Sequence, residues 1–384
     1  MRNQKLTEFE ASPLLEWFAG QIPSPILRLR FLQACIIRRE EPPRRPYKSW
    51  ALILILSLLP LFMAHVSVAR IRPVVGTPHP PVSAPLREAT VHLENAPEIW
   101  QVEKTDTYES YSNGLRIENE YAVSSHPRSY LVFSAKKPED LHGEPRSMPA
   151  GIVFHTTESP QAPFESGQNS TLKRIGESLL TYIKLNRSYN FLIDRFGRVY
   201  RVVQEGDAAN HAGTSVWSDA EWIYLNLNES FLSVSFETQT LPGQVDATVT
   251  PAQLRSAAML TDLLRRRYRI PPTNCVTHAQ VSVNGSSLRI GYHLDWASSF
   301  PFDQLGLPDN YALALPSVAL FGFEYDANFV RQAGGRMVHE AELSEALLRG
   351  GAAAAHADVA VFRKILQKRY HAQISTTRYN TKSN

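Results

Sequence analysis

The order of strand-like and helix-like segments in the sequence predicts an α/β fold, in which helices flank a central sheet. Apolar runs typical of strands occur at 151–155, 231–237 and 274–278, and residues 189–203 read as a hairpin with Gly197 in its turn. Two segments with helical periodicity separate these runs. The resulting order, β-α-β-β-β-α-β, is typical of a sheet covered by helices.

The starts of the two helices are predicted from their capping residues. The first helix, over 169–183, is expected to begin at a cap formed by Asn169 or Ser170. In the later helix Thr250 is the predicted cap, and Gln253, three residues on, completes a capping box. The later helix therefore has the better-defined start.

Length and composition exclude several classes of protein. The 384 residues are enough for two domains, and 43% hydrophobic with 20% charged residues is ordinary for a globular protein. The net charge of +3 comes from basic residues spread along the chain, so no nucleic-acid partner is expected. The two cysteines, Cys35 and Cys275, cannot form a disulfide framework, and Cys275 is expected to be a small core residue.

The N-terminal part of the chain predicts a membrane segment. Residues 49–69 are apolar and of borderline length for a span, and the flank that precedes them is the more basic one. This pattern indicates a cytoplasmic tail over 1–48, then either a transmembrane signal anchor in the inner membrane or a signal peptide cleaved near Ala69. A proline-rich linker follows over 70–97. We therefore expect a membrane-anchored protein whose remaining chain faces the periplasm or the outside, or a secreted one if the signal is cleaved.

A helical extension is predicted over 313–384. Its clearest segment, 339–374, contains Gly350 and Gly351, where a break is expected. After the break, an apolar stripe is expected to pack on the main domain, with basic side chains on a solvated face. The stripe consists of Val359, Phe362 and Leu366, and the basic face of Arg363, Lys364, Lys368 and Arg369.

Two of the predicted strands end in histidine, and a further polar cluster follows the second of them. His155 ends "GIVFH", His278 ends "NCVTH", and His293 and Asp295 lie in "HLD". Two imidazoles and a carboxylate are a known ligand set of catalytic zinc, and they leave a fourth tetrahedral position open. The pattern predicts a zinc site if the fold brings these residues together.

The blocks around these residues resemble those of the zinc-dependent N-acetylmuramoyl-L-alanine amidases of type 2, which are related to phage amidases and peptidoglycan-recognition proteins. The resemblance is carried, in order, by "GIVFHTTES", "YNFLIDRFGRVYRVVQEGDAANHAGTS", "SVSFE", "VTHAQVS" and "HLD". It covers roughly residues 150–305. It implies a mixed central sheet flanked by helices, and a zinc amidase domain over 98–312.

The resemblance also implies the ligands and the proton-transfer residue. His155, His278 and Asp295 match the family's Zn²⁺ ligands. Glu237 matches the glutamate that some members use as a general base for the attacking water. Tyr189 matches a tyrosine that other members use near the same spot.

Three further positions are assigned in the same way. His293 stands where the family usually has a lysine that stabilises the transition state, and a protonated imidazole could donate to the developing oxyanion instead. His211 matches the histidine of the substrate cleft in "HAG". Asn190 replaces a histidine that often follows the tyrosine, and we assign it to substrate binding.

The segment between the second and third ligands departs from the family pattern. The gap of 17 residues from His278 to Asp295 is long, which implies a loop insertion around 284–287. Trp296 and the residue after it stand where the family has proline-glycine. Two assignments of the third ligand therefore remain, Asp295 and His293.

Together these features predict a zinc-dependent amidase that hydrolyses the bond between N-acetylmuramic acid and the L-alanine of the peptidoglycan stem peptide. One alternative is a peptidoglycan-binding module that has lost catalysis. Another is an amidase that acts on soluble muropeptide fragments. The surviving third ligand favours an enzyme, because binding modules of this family typically lose it.

Overall fold

The computed structural model describes residues 98–213, 215–240, 249–291 and 293–382. In chain order the strands of these residues are β1 (Gln101–Lys104), β2 (Tyr108–Tyr111), β3 (Arg116–Glu118), β4 (Tyr130–Ser134), β5 (Glu144–Arg146), β6 (Gly151–Thr156), β7 (Phe191–Ile193), β8 (Val199–Arg201), β9 (Val216–Ser218), β10 (Trp222–Leu225), β11 (Phe231–Phe236), β12 (Cys275–Thr277), β13 (Val283–Asn284), β14 (Arg289–Ile290) and β15 (Glu324–Tyr325). The α-helices are α1 (Asn169–Leu185), α2 (Leu227–Ser230), α3 (Pro251–Tyr268), α4 (His278–Val281), α5 (Pro316–Ala319), α6 (Ala327–Ala333), α7 (Gly335–Ala354) and α8 (Val359–Lys382).

The largest sheet is mixed, which confirms the predicted fold class. Its strand order is β1-β2-β3-β8-β7-β11-β6-β12. Strands β7, β11, β6 and β12 run parallel to one another, whereas β8 is antiparallel to β7 and completes the predicted hairpin. Every residue of β6, β7, β11 and β12 is buried, as expected of parallel strands covered on both faces.

Helices α1 and α3 cover opposite faces of this sheet. Successive side chains of a strand point to opposite faces, and β7 shows how the two cores are divided. Leu192 packs in the cluster that contains Leu180 of α1. Its neighbours Phe191 and Ile193 pack in the cluster that contains Leu260 of α3.

The predicted cap is present at the start of α3 and absent at the start of α1. The capping box of α3 is confirmed, since Thr250 accepts a hydrogen bond from the Gln253 backbone and the Gln253 side chain accepts one from the Thr250 backbone. The predicted cap of α1 is wrong. A 3₁₀ turn runs directly into this helix, so Gln168 takes the capping position without a side-chain bond, and Asn169 and Ser170 lie inside the first turn.

The predicted break at Gly350 and Gly351 is also wrong, because α7 continues through both residues. A Cβ atom on Gly351 would lie 3.0 Å from the Phe362 ring, so this glycine lets α8 approach α7 closely. The chain turns later, at His356, whose φ is +50°. Asp358 then accepts two backbone hydrogen bonds from the first turn of α8.

The predicted division of α8 into an apolar stripe and a solvated basic face holds only in part. Leu366 is buried, but Val359 is exposed. Arg363 belongs to no solvated face: it pairs with Glu345 at 2.7 Å and donates to the carbonyl oxygen of Phe323 at 2.9 Å. The charge is therefore used to dock α8 on its neighbours.

The predicted C-terminal extension shares a core with the rest of the chain. Strand β15 pairs with β14, which lies before the predicted boundary between 98–312 and 313–384. One buried cluster contains Ala279 and Ala297 together with Met337 and Tyr370 from the extension. The domain boundary itself stays a prediction.

The structure contradicts the prediction of a membrane-anchored protein. None of the helices in its described part is both long enough and apolar enough to cross a bilayer. The longest, α8, has 24 residues but carries Arg363, Lys364 and Lys368 along its length. The predicted segment at 49–69 lies outside the described residues, as do the tail over 1–48 and the linker over 70–97.

Candidate metal centre

Three of the predicted site residues converge at the carboxyl edge of the main sheet. His155 lies near the end of β6, His278 is the first residue after β12, and Asp295 lies in a turn 17 residues later. Their ligand atoms all lie within 4.8 Å of one another, and all three residues are buried. Parallel strands β6 and β12 are hydrogen-bonded neighbours, which explains how two distant histidines meet.

The carboxylate of Asp295 faces both histidines. Its oxygens lie 2.9 Å from Nδ1 of His278, and Oδ2 lies 3.2 Å from Nδ1 of His155. Burial alone would raise the pKa of Asp295, but the adjacent His278 imidazole holds that pKa well below its usual range. Asp295 is therefore an ionised carboxylate.

The second ring nitrogen of His155 is held by another histidine. Nε2 of His155 lies 3.1 Å from Nδ1 of His211, and Nε2 of His211 lies 3.1 Å from the carbonyl oxygen of Leu227. A carbonyl oxygen only accepts, so His211 donates from Nε2 and accepts at Nδ1, and His155 must donate from Nε2. Burial lowers the pKa of His155 to about 4, so the ring is neutral and Nδ1 keeps its lone pair.

Asn228 fixes the turn that carries His211, and sequence reasoning missed it. Its side-chain oxygen accepts hydrogen bonds from the backbone N–H groups of His211, Ala212 and Gly213 at 2.8–2.9 Å. His211 was predicted to contact substrate. The structure places it directly behind a predicted ligand, where it orients His155.

Tyr189 lies beside the histidines in a strained conformation. Its ring centroid is 5.1 Å from that of His155, and its φ is +62°, which is costly for a residue with a side chain. Burial raises the pKa of the Tyr189 hydroxyl, so it stays protonated. The position is compatible with the predicted catalytic role.

Asn190 lies beneath the site, fully buried, instead of opening onto it. Its side-chain oxygen accepts from Arg128 at 3.0 Å and from the backbone of Ser233 at 3.1 Å. Its amide group donates to nearby backbone carbonyls, including that of Gln204 at 3.2 Å. The structure thus gives Asn190 a buried, supporting position, and its predicted contact with substrate stays a prediction. Arg128 was not identified from the sequence. Besides Asn190, it donates to four backbone carbonyl oxygens.

Glu237 follows the last residue of β11, on the same side of the sheet as His155. Ser235 pairs with His155 in the parallel register, and Glu237 is two residues further along the strand direction. One carboxylate oxygen accepts from the backbone N–H of Arg195 at 3.2 Å. Burial raises the pKa of Glu237 to about 7.

His293 is stacked on His278 at the outer side of the cluster. The two ring centroids are 4.2 Å apart, and the planes differ by 24°. Loss of water from the stacked face, together with His278, lowers the pKa of His293. The neutral ring is thus favoured over the protonated form expected from the sequence, and it still offers one N–H donor.

The predicted insertion before Asp295 is a short hairpin. Strands β13 and β14 pair on either side of residues 285–288, and β15 adds a third strand.

Cys275, in β12, is buried and free, and burial raises the pKa of its thiol to about 12. Such a thiol is a core residue, as predicted.

One family model matches part of the chain. The family model of N-acetylmuramoyl-L-alanine amidase matches residues 145–289, which include His155 and His278 and end before Asp295. No curated protein matches the chain.

Several solved structures resemble the chain over part of its length. The amidase LysC of Clostridium intestinale URNW is 20% identical and gives a TM-score of 0.27. The match covers 49% of this chain and 93% of the LysC chain. The amidase AmiD of E. coli, solved with anhydro-N-acetylmuramic acid-L-Ala-D-γ-Glu-L-Lys, is 22% identical and covers 41% of this chain and 56% of its own, at a TM-score of 0.30. Drosophila peptidoglycan recognition protein SD is 14% identical, with 44% and 86% coverage and a TM-score of 0.28. The chain spans just over half the length of AmiD.

Proposed function

We propose that this chain, whose residues 145–289 belong to the N-acetylmuramoyl-L-alanine amidase family, is a zinc-dependent enzyme acting on peptidoglycan. The bond it hydrolyses is the amide between the lactyl group of N-acetylmuramic acid and the L-alanine of the stem peptide. The observation that carries the proposal is the convergence of His155, His278 and Asp295 inside an amidase domain.

The three side chains fit a zinc ion. Zinc bonds of about 2.0–2.2 Å place tetrahedral ligand atoms roughly 3.3–3.6 Å apart, close to the 2.9–3.2 Å between Asp295 and the two histidines. With Nε2 of His155 donating to His211, its Nδ1 is an acceptor that faces another acceptor, the Asp295 carboxylate. Two acceptors that face each other at this distance repel, and a cation bound between them removes the repulsion. When bound, zinc supplies a Lewis acid for the amide carbonyl and lowers the pKa of water.

Glu237 is the proposed general base. A carboxyl group with a pKa of about 7 can take a proton from water near neutral pH and return it to the leaving amine. Its position on the His155 side of the sheet supports this role. Tyr189, which stays protonated, is the alternative proton donor beside His155.

Asp295 is the proposed third ligand, and His293 the proposed oxyanion donor. The carboxylate of Asp295 faces both histidines, whereas His293 lies on the outer face of His278 with its surface exposed. An exposed N–H beside the ligands is suited to stabilise negative charge that develops on the substrate oxygen.

The test is the release of peptide from purified sacculi by the purified full-length chain. We expect new L-alanine N-termini in the soluble fraction, and their loss in a His155→Ala variant. His126→Ala is a matched control, because His126 is an exposed histidine paired with Glu229. A parallel reaction on soluble anhydro-muropeptides distinguishes wall cleavage from action on fragments. Cleavage of neither substrate would reject the proposal and leave a binding module.

A further inference from the structure

We propose that Glu340, in the C-terminal helix α7, is a positioning residue that holds the ligand-bearing turn of the metal centre through Gln280. This inference rests on the proposed zinc function, and it assigns a role to a part of the chain that lies beyond the family match. Residues 335–354 form α7, and its buried face includes Glu340. The partner, Gln280, is two residues after the predicted ligand His278.

Gln280 organises the backbone around His278. Its side-chain oxygen accepts from the backbone N–H of Thr277 at 3.0 Å, which completes the capping box of the one-turn helix α4. In the same turn, the backbone N–H of Ala279 donates to the carbonyl oxygen of Asp295 at 3.2 Å. A shift of this turn would therefore move both His278 and Asp295.

Glu340 is one of two acceptors that fix the amide end of Gln280. Nε2 of Gln280 donates to Oε1 of the Glu340 carboxyl group and, at 3.0 Å, to the carbonyl oxygen of Asn310. Both N–H bonds of the amide are thus used, and the Gln280 side chain has a single orientation. Its oxygen is then directed at Thr277.

A carboxyl group is an unfavourable choice at position 340 if the side chain only fills space. Its side chain is fully buried, and its second oxygen has no hydrogen-bond partner among the described residues. Burial of a carboxyl group with one oxygen unsatisfied is unfavourable, and an apolar side chain would fill the same space at lower cost. Within the described part of the chain its side chain makes one hydrogen bond, to Gln280, and an apolar residue could not replace that bond.

Zinc affinity of the full-length chain tests this role. Outer partners of metal ligands typically contribute about 10–100-fold in metal affinity. We expect Glu340→Leu to weaken zinc binding by roughly 10-fold in competition with a chromophoric chelator. Glu340→Asp, whose shorter side chain withdraws the acceptor while keeping the carboxyl group, should weaken it in the same direction and covers the case in which the leucine variant does not fold. Glu340→Gln keeps an acceptor at the same reach and should restore affinity to near the wild-type value.

Ser344→Ala provides the matched control. Ser344 is buried one turn further along α7, where its hydroxyl accepts from the backbone N–H of Leu315 at 2.7 Å and donates to the backbone carbonyl oxygen of Glu340. Its loss therefore perturbs the same turns of α7 without removing the contact between the Glu340 side chain and Gln280. It should lower the melting temperature without changing zinc affinity. The proposal is overturned if Glu340→Asp and Glu340→Leu bind zinc as tightly as wild type, or if Ser344→Ala loses as much affinity as they do. A wild-type chain that binds no zinc would instead reject the proposed function itself.

Discussion

At the scale of single residues, the choice of third ligand depends on which side chain faces the two histidines. Asp295 does so, while His293 stacks outside them. We expect Asp295→Ala to lose zinc, and His293→Ala to retain zinc with kcat lowered by about 10²–10³, the usual effect of removing one oxyanion donor. Zinc content by atomic emission and steady-state rates decide the matter. The opposite pattern would make His293 the ligand.

The carboxyl group of Glu237 gives a prediction about mechanism and a second about stability. Glu237→Gln keeps the shape but cannot take a proton, so the rate should fall by roughly 10²–10⁴ with zinc retained. The folded-state pKa is raised from 4.5 to about 7, so the stabilisation from the neutral form is complete below pH 4.5 and is lost as the pH rises through about 7. The glutamine variant should thus be the more stable protein above pH 7 in denaturant titrations. A rate loss below about tenfold would shift the role of base away from Glu237.

A His211→Ala variant tests whether His211 positions His155 or contacts substrate. If it fixes the tautomer of His155, His211→Ala should weaken zinc binding by about 10–100-fold, because Nε2 of His155 loses its acceptor. Chelator competition measures this affinity directly. Unchanged zinc affinity with a raised KM would return His211 to the substrate-cleft role expected from the sequence.

Some of these residues could be predicted from the sequence and others could not. His155 and His278 were accessible because each follows an apolar run, and strand ends at one sheet edge meet. The contact between His155 and His211 joins residues 56 apart through a turn that Asn228 organises, and no local pattern indicates it. Gln280 does have a local signal, because it lies three residues after Thr277 in the capping-box pattern "THAQ".

At the scale of elements, the two helix starts form an internal comparison. Thr250 caps α3 with a side-chain bond, and Ser170, predicted as a cap, lies inside α1. Thr250→Ala should cost about 1 kcal/mol of unfolding free energy. Ser170→Ala should change it by less than about 0.5 kcal/mol, as is usual for a surface position. Chemical denaturation measures both, and equal losses would contradict the assigned helix start.

Helix ends were harder to predict than helices for a physical reason. The capping box of α3 is local in sequence, so the pattern is sufficient. The continuation of α7 through Gly351 depends on the approach of Phe362 from another helix, which is a tertiary effect. Propensity alone favours a break at two glycines, and packing overrides it.

At the scale of the whole molecule, the site depends on more of the chain than the family match covers. The match ends before Asp295, and the buried cluster beside the site includes residues of α7 and α8. A sequence pattern indicates that α7 and α8 are helices, but it does not reveal which surface they cover. The link from Glu340 to Gln280 is a consequence of that packing.

The central claim is that His155, His278 and Asp295 hold one zinc ion that the amidase reaction requires. Metal analysis of the purified full-length chain, paired with its activity on sacculi, tests this claim most directly. We expect about one zinc per chain, and joint loss of zinc and activity in His155→Ala and in His278→Ala, with both retained in His126→Ala. Full zinc content and full rate in either of the first two variants would contradict the account.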